Sequence, residues 1–239
     1  MSDKILFMSD MYSLSISRET LPDAFNEPHS LAIRIWHWVF VLVLTASLTT
    51  VLFASTVFRT RNTIGLVQDE LQGKGMTVTN DQARAVAHAY SDKLWELHTY
   101  LGYVLVGLLL SRIFIEITQP REEKLGVKLR RVAGFQSADP AEKADARHYV
   151  QVKRGYQLFY VLIGTMAVTG LGLAFEDVPF FKTWHGTIKQ IHSFVQYFIY
   201  GFIIIHLVGV IRADMGRRKG LVSGMIHGEK RGQSGRRSL

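Results

Sequence analysis

Residues 191–211 read IHSFVQYFIYGFIIIHLVGVI, an apolar stretch with a histidine near each end. A helix that crosses the hydrocarbon core of a bilayer needs roughly 20 predominantly apolar residues, and this stretch has that length. It is too long for a barrel strand and lacks the alternation of one. In lipid the backbone must satisfy its own hydrogen bonds, so such a run folds as a helix. Its two histidines, His192 and His206, lie 14 residues apart. At 100° per residue that interval falls about 40° short of four full turns, so both rings leave one face, separated by roughly 21 Å along the axis. Ionisable groups inside a membrane are costly and mark function, and two on one face suit two stacked cofactors, one near each membrane surface.

Three further stretches have the same character: residues 35–58, 94–117 and 156–175. Together the four predict an all-α fold, an integral membrane four-helix bundle over residues 31–228 with cofactor held inside the bundle. Residues 1–30 read as a cytoplasmic extension, because they hold no signal-peptide core followed by a small-residue cleavage site. Residues 229–239 read as a flexible basic tail. Long loops remain at 59–93 and 119–153.

Charge orients the bundle. The N-terminal segment to Arg34, the loop 118–154 and the tail from Arg212 carry 3, 9 and 8 Lys/Arg, 20 in all. The two loops on the other side, 59–93 and 176–189, carry 5 and 2, or 7, and Arg112 falls within the second span. The positive-inside tendency therefore places both termini in the cytoplasm. The net charge of +8 has the same origin: the basic residues sit in blocks beside apolar runs and form no nucleic-acid motif, so the partner is membrane lipid and not nucleic acid. With no cysteine the chain can form no disulfide, thiolate zinc site, cysteine-held iron–sulfur cluster or thioether-linked haem.

Of the nine histidines, His29, His88, His148, His185 and His227 fall in loops or the tail and read as solvated side chains. His37, His98, His192 and His206 lie within spans. Chain direction sorts these four by depth. His37, three residues past Arg34, is at the cytoplasmic end of helix one, level with His206. His98 is near the start of helix two, which enters from the outer side where helix four begins, level with His192. Neutral imidazole pairs facing across a bundle core are natural axial ligands of six-coordinate haem b, which needs no cysteine. The expectation is two haem b groups, with iron bound by His37 and His206 at one level and by His98 and His192 at the other. Gly102, Gly164, Gly170, Gly172, Gly201 and Gly209 offer room for a macrocycle, although small residues also let membrane helices approach. Trp36, Trp38, Tyr100, Tyr103 and Tyr197 fit an interfacial aromatic belt as well as a haem pocket.

These residues carry a resemblance. Arg34-Ile-Trp-His37-Trp38, His98-Thr-Tyr-Leu-Gly102 leading to Leu-Leu-Ser-Arg112-Ile, then His192 and His206 followed by Arg212-Ala-Asp214-Met215 are similar to the b-type cytochrome subunit of membrane-bound nickel–iron hydrogenases. That subunit lies within the bacterial di-haem cytochrome b561-like membrane family. The resemblance covers residues 29–58 and 94–228 and implies the same pairing of histidines. It also implies a bacterial inner-membrane protein of a respiratory chain, passing electrons between the iron–sulfur subunit of a periplasmic hydrogenase and membrane quinone. The chain departs from the pattern in its longer loops, 59–93 and 119–153. The region beside His206 and Arg34 is where a quinone would be sought, and Arg112 and Arg154 are candidates to neutralise haem propionates. Two other readings share the histidines: a self-contained quinone-linked cytochrome b such as a superoxide oxidase, and, in a different class, a haem-free transporter that relays protons.

Overall fold

The structure is a computed structural model that describes residues 30–119, 124–133, 139–216 and 220–228. The expected cytoplasmic extension up to residue 29 and the basic tail from residue 229 lie outside the described residues. Seven helices and no strand occur among the latter: α1 (Leu31–Ser55), α2 (Thr60–Gly73), α3 (Asn80–Thr118), α4 (Leu125–Ala133), α5 (Pro140–Ala174), α6 (Pro179–Met215) and α7 (Leu221–His227).

Local chemistry sets several boundaries. Ser30 opens α1, its hydroxyl accepting from the Ile33 N–H at 3.4 Å. Thr79 and Gln82 form a capping box at the start of α3: Gln82 N–H donates to the Thr79 hydroxyl at 3.3 Å, and Thr79 N–H donates back to Gln82 Oε1 at 3.0 Å. Proline stands first in α5 and α6, where the missing N–H would have no helical partner. Helix α2 stops at a Schellman turn: Gly75, at φ 77°, donates to the Gln72 carbonyl, and Met76 donates to that of Leu71, both at 2.9 Å.

Among the described residues four helices are long and apolar enough to cross a membrane: Leu31–Ser55, Asn80–Thr118, Ala146–Ala174 within α5, and Pro179–Met215. Their apolar side chains stay largely uncovered by protein, Leu42 at 71% and Ile205 at 74% exposure. Such surface is expensive in water and ordinary in lipid. All-α membrane architecture is therefore what the described residues show. The helices overrun the stretches marked by hydropathy. Helix α3 begins at Asn80 and not near 94, α5 at Pro140 and not near 156, and α6 at Pro179 and not near 191. Much of the ground taken as loop at 59–93 and 119–153 is helix.

Two compact units divide the chain. One holds the described residues up to Arg34, Arg112–Ile163, and those from Tyr197 onward. In it α4 packs on the start of α5 through buried Val132, Ala146 and Tyr149, with Val150 against them. The Lys153 ammonium lies 5.3 and 5.4 Å from the ring centroids of Tyr149 and Tyr156. Phe159 of α5 stacks on Phe202 of α6 at 4.5 Å. The short helix α7 is held at both ends: Asp214 Oδ1 accepts from the backbone N–H of Gly220 and Val222 at 2.8 and 3.3 Å, and Arg34 Nη1 donates to the Ile226 carbonyl at 3.1 Å.

The other unit holds Ile35–Ser111 and Gly164–Gln196. Here α2 turns back on the start of α3. Gln68 donates to Asn80 at 2.9 Å, Phe58 stacks on Tyr90 at 6.4 Å, and Thr63, Ala83 and Ala87 are buried. Helix α1 is tied to α3 by Trp36, whose indole N–H donates to the Leu108 carbonyl at 2.9 Å. Helices α5 and α6 form a tight hairpin, in which a Cβ at Gly172 would lie 3.3 Å from Phe181 Cδ1 and 3.4 Å from Ile188 Cδ1. That closeness is what a glycine in a membrane helix allows.

Candidate functional site

The α5–α6 hairpin and the facing parts of α1 and α3 bring two of the four membrane histidines together. The rings of His98 on α3 and His192 on α6 have centroids 6.4 Å apart and planes at 89°. Each is held by hydroxyl-bearing residues of a neighbouring helix. His98 Nδ1 lies 3.1 Å from the Thr50 hydroxyl, 3.3 Å from the Ser47 hydroxyl and 3.3 Å from the Ser47 carbonyl, all on α1. His192 Nδ1 lies 2.9 Å from the Thr169 hydroxyl on α5. Gly170 lets α5 come this close, since a Cβ there would sit 3.3 Å from His192 Cε1. Trp95, one turn before His98, meets its ring edge-on at 5.7 Å.

His37 belongs to the same unit, beside Trp38 at 5.4 Å, whereas His206 belongs to the other, stacked on Phe202 at 6.0 Å. Each is half-buried. Arg34, sought as part of a quinone region, has its guanidinium on the Ile226 carbonyl and against Gly228. Arg112 lies 3.3 Å from Glu116, one turn on. His185, read as a loop residue, is the second turn of α6 and lies 3.3 Å from Glu176 across the α5–α6 turn. His88 and His148 also lie on helices, α3 and α5, and are exposed.

The donor set fits a haem. Every hydrogen bond of His98 and His192 falls on Nδ1, which leaves neither Nε2 with a hydrogen bond among the described residues. Two imidazoles that each bind one metal ion through a nitrogen at roughly 2 Å have centroids roughly 6 Å apart, close to the spacing found. Metal-ligating histidines almost always give their other N–H to a carbonyl, carboxylate or water; the Ser47 carbonyl beside His98 is of that kind, and the remaining Nδ1 partners are hydroxyls. A Cβ at Gly102, one turn past His98, or at Gly164 would meet no atom within 4 Å, as at most other glycines of the membrane helices. No group of three or more His, Asp or Glu that could hold a bare metal ion occurs among the described residues. Ser47, Thr50 and Thr169 were not singled out from the sequence. A hydroxyl in an apolar helix ordinarily bonds its own preceding turn and gives no signal.

The family model for prokaryotic cytochrome b561 matches residues 28–228. No curated protein and no solved structure matches the chain.

Proposed function

The chain belongs to the prokaryotic cytochrome b561 family, multi-pass membrane proteins of haem b electron transfer, and on that premise we propose that it is a di-haem electron-transfer subunit. It passes electrons between a periplasmic redox partner, first among candidates the iron–sulfur subunit of a nickel–iron hydrogenase, and the membrane quinone pool. The observation that carries the haem reading is the His98–His192 pair, 6.4 Å between centroids, with the hydrogen bonds of both rings on Nδ1 and none on Nε2 among the described residues.

In this reading His98 and His192 hold the outer haem, and His37 and His206 hold the cytoplasmic-side one. Haem b, when bound, supplies a one-electron couple whose potential follows from ligand, burial and hydrogen bonding. The chain's own residues do the rest. Ser47, Thr50 and Thr169 orient the two outer imidazoles, and Gly170 lets α5 reach His192. The excess of basic residues on one face supports cytoplasmic termini, and hence an outer surface at the Asn80 and Pro179 ends of α3 and α6.

Purification of the full chain in mild detergent tests the proposal. Expected are a red protein with a reduced b-type absorption band, two haems per chain and co-purifying hydrogenase subunits. His98→Ala and His192→Ala should remove one spectral component, and His37→Ala and His206→Ala the other. A chain that takes up no haem, or a His98→Ala variant that loses the same component as His37→Ala, refutes the assignment. Recovery without any partner favours the self-contained cytochrome.

A further inference from the structure

Thr169 and Thr50 occupy equivalent places on the two sides of the histidine pair. The Thr169 hydroxyl lies 2.6 Å from the Thr165 carbonyl and 3.3 Å from the Met166 carbonyl on the turn before it, and 2.9 Å from His192 Nδ1. A hydroxyl has one proton. The shortest contact, to an atom that can only accept, takes it, so the oxygen faces His192 as an acceptor and Nδ1 must carry the hydrogen. Thr50 repeats the pattern. Its hydroxyl donates to the Ser47 carbonyl at 2.6 Å and meets His98 Nδ1 at 3.1 Å, while that same carbonyl lies 3.3 Å from Nδ1. Both rings are thereby fixed as the Nδ1–H tautomer, with the Nε2 lone pair available.

The two sides differ in depth of support. Among the described residues three oxygens surround His98 Nδ1, one of them the Ser47 carbonyl, whereas His192 Nδ1 has the Thr169 hydroxyl alone. An acceptor on the outer N–H makes an imidazole a more basic ligand, and a more basic ligand favours the oxidised metal.

We propose that Thr169, and Thr50 with Ser47, are positioning residues that lock His192 and His98 in the Nδ1–H tautomer and hold down the potential of the haem between them, with Thr169 the more sensitive point of control. The proposal rests on His98 and His192 being haem ligands. The bland alternative, that each threonine merely satisfies its own hydroxyl on the preceding turn, predicts no effect of the second lone pair on the haem.

The test is a potentiometric titration of the purified full chain, followed in the visible band, for Thr169→Val, Thr169→Ser and Thr50→Val. Thr169→Val should shift one haem component to higher midpoint potential and leave the other in place. Thr169→Ser, which keeps the hydroxyl, should restore the original value. Thr50→Val, which leaves the Ser47 carbonyl, should shift the same component by less. Full haem content with unshifted potentials in Thr169→Val overturns this inference alone. Should Thr169→Val hold no haem, Thr50→Val decides: an upward shift supports the inference and none overturns it. If His192→Ala keeps both haems, the ligand reading falls, and this inference with it.

Discussion

Gly170→Ala sets two effects of known sign against each other. Alanine is favoured over glycine inside a helix by about 0.8–1.0 kcal/mol, so α5 itself should gain stability. The new Cβ, however, would lie 3.3 Å from His192 Cε1 and 3.8 Å from Nδ1. Carbon atoms in contact prefer about 3.5–4.0 Å, so the ring must retreat by a few tenths of an ångström. The same retreat lengthens the 2.9 Å contact to Thr169, the one hydrogen bond of that ring among the described residues, toward the weak end of the range, about 3.2 Å. Disturbing such a support typically weakens a metal site about 10–100-fold. The expectation is a chain that melts no lower than the unaltered protein, followed by intrinsic tryptophan fluorescence, yet releases one of its haems more readily to an excess of haem scavenger. Gly155→Ala is the control, on the same helix with no atom within 4 Å of the added Cβ. Equal haem retention in Gly170→Ala and the unaltered chain would refute the reasoning, as would equal loss in the control.

At Gly102 the protein offers no obstacle within 4 Å, so Gly102→Leu should insert and fold normally but bind about one haem fewer if a macrocycle fills that space; full haem content would place the macrocycle elsewhere. A reporter active only in the periplasm should be silent when fused after Leu239 and active when inserted near Gly73, and the opposite result would invert the topology. Charge reversal at Lys182 and Lys189, on the first turns of α6, should slow partner-dependent quinone reduction while leaving both haem spectra intact. Unchanged rates in that double variant would rule out these turns as the docking surface.

The four membrane helices were legible because lipid leaves the backbone no other option, but their lengths were not. Hydropathy falls where charged residues begin, as at Asp92, Lys93 and Glu96, yet the hydrogen-bond ladder of α3 runs through them from Asn80. Proline at 140 and 179 was the better signal of where α5 and α6 start. Helix α2 escaped notice because its mixed composition, TRNTIGLVQDELQG, has no apolar run. At the site, the membrane histidines stood out by the expense of an ionisable ring in hydrocarbon. Their supports did not. Thr169 lies 23 residues before His192 on a different helix, and no periodicity links them. His185 was read as a loop residue for the same reason that α6 was drawn short, and with the helix starting at Pro179 it shares a continuous helix with His192.

The hold of Arg34 on α7 joins atoms 192 residues apart in the chain, and that separation has a meaning for biogenesis. Arg34 is among the first described residues to be made, and Ile226 among the last. During synthesis the guanidinium at the start of α1 has no Ile226 carbonyl to reach until all four spans have been delivered to the bilayer. Closing so long a loop adds only a logarithmic entropy penalty, and the membrane has by then already gathered the helices. Insertion draws on the hydropathy of each span, whereas the long-range closure draws on the polar contact of Arg34 with the Ile226 carbonyl. A chain stopped just after Met215 would keep all four apolar spans and lack the carbonyl that Arg34 holds.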